Sequence, residues 1–157
     1  MTGRRAERGQ GLVEFAIVIP VIALLMFGLL DLGRAVFTYN TVAQAARQAA
    51  RMAIVDQTVD NIKSTAISAA PTVGMTSSDV AVCFKTATTT QQNCSSSTDD
   101  CPSSDRVIGC LAIVAVNVSY QPMTPIVSTL FSSIGLSSTS IEPIEYVCPY
   151  GTHTTCP

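Results

Sequence analysis

Tryptophan is absent from the 157-residue chain, histidine occurs once, and only 13 % of the residues are charged. A typical soluble domain has about 25 % charge. Without Trp and with 6 % aromatics, there is no platform on which bases could stack. Nine basic residues against eleven acidic ones give a net charge of −2, which excludes a basic nucleic-acid-binding face, so no nucleic-acid partner is expected. The lone histidine, His153, stands in a Cys-containing tail and reads as an exposed residue, not a catalytic base. There is no Cys-x-x-Cys pair, no glycine-rich phosphate loop and no Gly-x-Ser-x-Gly elbow, so neither a zinc ribbon nor a redox, nucleotide or hydrolase site is indicated. Asp99, Asp100 and Asp105 miss the spacing of an EF-hand and read as a solvated loop. Asn93-Cys94-Ser95 and Asn117-Val118-Ser119 match a glycosylation sequon by pattern alone. No catalytic residue, metal site or cofactor is expected.

What the chain does have is 47 % apolar residues, enough to exclude disorder, and six cysteines. Cysteines at that density point to an oxidising compartment. The apolar residues are unevenly placed. Arg4, Arg5 and Arg8 precede a run from Leu12 to Leu30 that is apolar except for Glu14 and uncharged from Phe15 onward. About 20 helical residues cross a hydrocarbon core, and basic residues stay on the cytoplasmic side. The sequence therefore predicts a single-pass protein with its N-terminus inside. All six cysteines, at 83, 94, 101, 110, 148 and 156, lie downstream of the span, so the remainder is expected to be extracytoplasmic.

The helical pattern continues past the span. No proline occurs from Asp31 to Val55, and Ala43, Ala45, Ala46, Ala49, Ala50 and Ala53 dominate; alanine is the best helix former. One helix is predicted from Leu12 to about Ile54, with Val42, Ala46, Ala49 and Ala53 on a face available to a partner. A second helix is predicted over Thr58 to Ala69, closed by Pro71, with Asp56 or Thr58 as its cap. The chain then turns β-branched. Strands are predicted at Val80 to Phe84, at Leu111 to Tyr120 and around Ser138 to Val147, where Pro143 interrupts. In the second, Ala112, Val114, Val116, Val118 and Tyr120 share one face while Asn117 and Ser119 take the other. The polar stretch Thr86 to Arg106 is too long for a plain hairpin turn unless stapled. Six cysteines allow 15 pairings. Easier closure of short loops predicts Cys94–Cys101, Cys83–Cys110 and Cys148–Cys156. The fold class is thus α+β: a long N-terminal transmembrane and assembly helix, a short helix, and a small disulfide-stapled antiparallel β module. The parts fall at 1–9, a basic leader; 10–55, the long helix; 56–73, the short helix and linker; and 74–157, a β-rich head.

Glu14 is the residue of greatest interest. A carboxylate inside an apolar span costs about 2.5–3.5 kcal/mol at the bilayer centre and less near an interface. It has a bland reading, an interfacial acid favoured by the helix dipole. Its neighbours suggest more. Arg8-Gly9-Gln10-Gly11-Leu12-Val13-Glu14-Phe15 resembles a type IV prepilin processing site. The longer string from Gly9 through Phe15 to Pro20, together with Asp31-Leu32-Gly33-Arg34, is similar to the TadE-like pilins of tight-adherence (Flp) pilus systems. The resemblance covers residues 8 to 55 and returns only at Val118-Ser119-Tyr120, Pro122 and Thr124-Pro125.

That resemblance implies cleavage between Gly9 and Gln10 by a prepilin-type peptidase. It also implies assembly with other pilin subunits through the N-terminal helix, with Glu14 in the role of the family's fifth-position glutamate. Cleavage would create an α-amino group, and a carboxylate of a neighbouring subunit would neutralise it, removing two unpaired charges from an apolar filament core. Phe15 and Pro20 belong to the same assembly element. Pro20 reads either as a kink near Ala16 or as a proline tolerated within a transmembrane helix. Asp31 and Arg34 read either as a loose i, i+3 pair closing the span or as a register device between helices. The expected function is a pilin-like structural subunit, a minor pilin or initiating pseudopilin serving assembly and adhesion at the cell surface. The alternatives are a secreted binding module released by an ordinary signal peptidase after Ala35, and an uncleaved single-pass anchor. In both, the disulfide-rich module is a binding domain.

Overall fold

The computed structural model describes residues 4–86, 94, 101, 110–130 and 132–144. Six elements follow one another: α1 (Arg4–Val55), α2 (Val59–Ala69), β1 (Val80–Thr86), β2 (Cys110–Tyr120), α3 (Pro125–Leu130) and β3 (Ile134–Pro143). The chain divides into two compact units, Met1–Val36 with Gln121–Ser133, and Phe37–Tyr120 with Ile134–Pro157. The α+β class is as the sequence predicts. The differences are local.

In the first unit, α1 starts at Arg4 and not at Leu12, because Arg, Ala and Glu are adequate helix formers and carry the helix back through the basic leader. The helix continues through Pro20, which has no N–H to offer the carbonyl of Ala16. From Gln10 to Leu30 nearly every residue is exposed; only Ala23 and Gly28 are half-buried. The most apolar stretch of the molecule has little cover from the described residues. The rest of this unit is residues 121–133, the connection between β2 and β3, which contains α3. The sequence reading does not include α3: six residues cannot show a helical period.

In the second unit, α1 continues as an alanine-rich helix with Val42, Ala45, Ala46, Ala49, Ala50 and Ala53 fully buried. They join Ile62, Ala66 and Ala70 after them and Val80, Phe84, Ala112, Val114, Val116 and Ile144 from the sheet in one core. The partner of the alanine face is thus the chain's own α2 and sheet. Small side chains let helix and sheet approach closely. The helix ends where Gln57, itself buried, donates its amide to the carbonyls of Ala53 and Ile54, both at 3.3 Å. Asp56 then accepts from the Thr58 N–H at 2.8 Å and from the Asn61 amide at 2.6 Å, which sets the start of α2. After α2, Pro71 opens a turn that Gly74 completes at φ 69°, a left-handed conformation suited to glycine. Asp79 then accepts from the N–H and the hydroxyl of Thr76, each at 2.8 Å. These bonds, the backbone one first, hold its carboxyl below the ordinary carboxylate range.

The sheet is antiparallel in the order β1-β2-β3. On β2, the alternation read from the sequence holds: Ala112, Val114, Val116 and Tyr120 are buried, and Asn117 and Ser119 are exposed. β3 begins four residues earlier than predicted and stops at Pro143. A proline cannot donate to a ladder, and an edge strand is where a sheet tolerates one.

Two disulfides are present among the described residues, Cys83–Cys94 and Cys101–Cys110, so the predicted Cys94–Cys101 and Cys83–Cys110 pairs are wrong. Register gives the reason. Cys83 lies opposite Ile113 and Cys110 opposite Thr86, three positions apart, or about 10 Å along the strands. A disulfide needs Cα atoms within about 7 Å. The pleat also sends Cys110 to the core face and Cys83 to the other. Each strand cysteine instead takes one cysteine of the intervening loop, so the loop is pinned to the sheet at two points. Cys101 N–H donates to the Phe84 carbonyl at 3.3 Å, and the Cys94 sulfur lies 3.4 Å from the Ile113 carbonyl oxygen. The predicted Cys148–Cys156 pair lies outside the described residues.

Candidate assembly segment and its outer edge

The residues singled out at the N-terminus share one helix. Gly9, Gln10, Glu14, Phe15 and Pro20 all lie on α1; Gln10, Glu14, Phe15 and Pro20 are exposed. Gln10 and Glu14 are four residues apart and therefore lie one turn apart on the same face. Gly9 and Gly11 flank Gln10, and each glycine is about 1 kcal/mol less favourable in a helix than alanine. The helix is thus intrinsically weakest around the Gly9–Gln10 bond, where a peptidase would have to unwind it. A Cβ added at Gly11, Gly28 or Gly33 would meet nothing within 4 Å, so no contact within the chain requires these glycines.

From Glu14 onward the segment is an uninterrupted apolar surface. Leu12 is 71 % exposed, Phe15 63 %, Leu25 65 % and Leu29 70 %. Soluble monomers rarely expose large contiguous apolar patches. The window has a mean hydropathy of 2.6 and no buried share, which fits a membrane anchor and not a core helix. Glu14, near its start, takes no hydrogen bond from a described residue.

At the other end of the apolar run stands Asp31, and here the structure adds a site that sequence reasoning missed. Asp31 is only 7 % exposed. Its carboxylate accepts from the Met123 N–H at 3.2 Å and the Thr124 N–H at 3.0 Å, and from the Thr124 hydroxyl. Thr124 precedes α3, and its carbonyl receives the Ser128 N–H at 2.9 Å. Asp31 therefore satisfies two backbone donors of the segment that leads into α3, which would otherwise be left unpaired beside a buried carboxylate. Neither role suggested for Asp31, a loose pair with Arg34 or a register device between helices, includes this contact. Nothing local could have revealed it, because the partners are 92 and 93 residues away. The only signal was compositional: an acid directly after an apolar run, and a Thr-Pro pair that reads as a helix start.

Cys83, Cys94, Cys101 and Cys110 serve the sheet. Asp99, Asp100, Asp105, Cys148, His153 and Cys156 lie outside the described residues.

Residues 9–51 match the model of the TadE-like protein family. The match begins at Gly9 and ends within α1, before α2 and the sheet. No curated protein and no solved structure matches the chain.

Proposed function

We propose that the chain is a Tad-pilus associated component, a minor pilin or initiating pseudopilin, on the strength of a segment over residues 9–51 that is similar to the TadE-like family. The observation that carries this reading is the coincidence of that match with a helix whose apolar surface, from Leu12 to Leu30, is left open by its own chain. A prepilin-type peptidase cuts between Gly9 and Gln10 on the cytoplasmic side. The mature helix stays in the bilayer until it enters a filament, packing against other pilin subunits. Glu14 of one subunit then neutralises the new α-amino group of another. The disulfide-stapled module is the extracytoplasmic head and is carried to the cell surface to serve adhesion.

The contact at Asp31 weighs against the reading as a secreted module. Release after Ala35 would carry Asp31 away from Met123 and Thr124, leaving their donors unmet. A disposable signal peptide has no use for a contact with the mature domain.

N-terminal sequencing of the mature protein tests the reading. We expect a start at Gln10 in the wild type and retention of Met1 in Gly9→Val, because the peptidase must accommodate a small residue before the scissile bond. A wild-type start at Val36 would assign the chain to secreted modules, and a start at Met1 to uncleaved anchors. Normal maturation of Gly9→Val would overturn the processing assignment.

A further inference from the structure

The connection Gln121–Ser133 has composition and placement that the filament role does not explain. From Val107 to Ile141 the chain carries no charged residue, so this connection is uncharged throughout. It belongs to the same compact unit as the apolar half of α1. It is held there by Asp31, the residue that directly follows the apolar run Leu12–Leu30. The attachment point is therefore at the outer end of the span. Met123, whose N–H Asp31 accepts, leaves its side chain 73 % exposed, the highest value among the exposed large apolar residues. Leu29, Leu30 and Leu32 on α1, beside Asp31 in sequence, are all more than half exposed.

We infer that the stretch 121–130 is a membrane-interface element: it lies in the headgroup region of the bilayer that α1 crosses, with Met123 inserted among the upper acyl chains. Three features favour lipid as the occupant. The segment continues an apolar surface already assigned to lipid. It offers no charge for pairing with a protein partner. Its own polar groups near the anchor are used internally: Thr124 bonds Asp31, and the Ser128 hydroxyl donates to the Pro125 carbonyl at 3.0 Å. An uncharged segment with an apolar side chain outward, and with the N–H groups of Met123 and Thr124 taken up by Asp31, suits the interface between headgroups and acyl chains. Asp31 gains equally. A carboxylate at the edge of hydrocarbon is tolerated where donors surround it.

The inference rests on α1 spanning the bilayer, and the absence of Trp from the chain allows both statements to be tested separately. The full chain carrying Met123→Trp is reconstituted in phosphatidylcholine–phosphatidylglycerol vesicles, and a second variant, Leu24→Trp, reports on the span. With lipids brominated at shallow or deep acyl positions, Leu24→Trp should be quenched by the deep label. Met123→Trp should be blue-shifted and quenched by the shallow label more than by the deep one. Adding Asp31→Ala to Met123→Trp should reduce that shallow quenching, since the anchor is lost. If Leu24→Trp is quenched while Met123→Trp emits as in water, the interface element is wrong and the span stands. If Met123→Trp is blue-shifted but unaffected by brominated lipid, with a shift that grows with protein density, the surface binds a second copy of the chain and the inference also fails. If Leu24→Trp is not quenched, the span itself fails and the interface element with it.

Discussion

Two carboxylates on α1 bracket the apolar run, and their circumstances are opposite. Asp31 is buried and accepts three hydrogen bonds from residues 123 and 124, whereas Glu14 is exposed. A buried acid with satisfied bonds is explained by its own chain. An exposed acid at the start of an apolar surface is explained only by something outside it. An interfacial position at the edge of the apolar run, where a carboxylate costs less than at the bilayer centre, would account for Glu14 without a partner. In the pilin reading, the partner is the α-amino group of a neighbouring subunit, and the two readings separate under substitution. Glu14→Ala removes a charge that costs free energy in lipid, so insertion and cleavage should be unaffected. Incorporation should fall, because a neighbour's amine would then be left uncompensated in an apolar filament core. The measurement is the share of mature protein recovered in sheared filaments relative to the cell membrane. Equal shares for Glu14→Ala and wild type would leave Glu14 as an interfacial acid only.

Among the elements, α1 has two surfaces of different kinds. From Gln10 to Leu30 nearly all its side chains are exposed, whereas from Val42 to Ala53 one face of every turn is buried with α2 and the sheet in a single core. The alanines of the second part leave no room for larger side chains. Ala49 is fully buried and Ala43 only partly. Overfilling a packed core costs about 1–3 kcal/mol. Ala49→Leu should therefore lower the melting temperature of the head, while Ala43→Leu should change it little. Were the alanine face a contact between subunits, Ala49→Leu would impair assembly and leave the melt unchanged. The same elements show what a sequence discloses. Long apolar and alanine-rich stretches announce α1, Pro71 announces the end of α2, and a β-branched run that alternates from Val116 to Tyr120 announces β2, because each is a local pattern with a local cause. α3 depends on Asp31, more than 90 residues away, and leaves no pattern in six residues. The cysteine pairing depends on strand register: only once Cys83 is set opposite Ile113 does Cys110 fall out of its reach. Loop-closure entropy ranks possible pairs but contains no register.

At the scale of the whole molecule, the two units owe their stability to different sources, so one treatment should separate them. In the membrane-anchor reading, the apolar half of α1 is stabilised by lipid, where every backbone polar group must be paired internally and a helix does so. The second unit has a core built largely from Ala and Val, with Phe84 as its largest fully buried side chain. Its stability leans on Cys83–Cys94 and Cys101–Cys110, which span 11 and 9 residues of sequence. In the chain-entropy description, closures of that length are each worth about 2.5–3 kcal/mol, against a total of about 5–15 kcal/mol for an ordinary domain. Losing both removes a large part of that margin. Reduction of the detergent-solubilised protein should therefore melt the β signal in circular dichroism together with α2, which packs on β1. The α1 signal should persist, since lipid or detergent and a run of good helix formers hold it independently of the sheet. Replacing Cys83 and Cys94 together by Ala should lower the melting temperature without reductant and leave the remaining pair intact. Thiol titration before reduction sharpens the test. Exported protein in which Cys83, Cys94, Cys101 and Cys110 all react would show that the sheet stands without its staples, and a β signal unchanged by reductant would show the same.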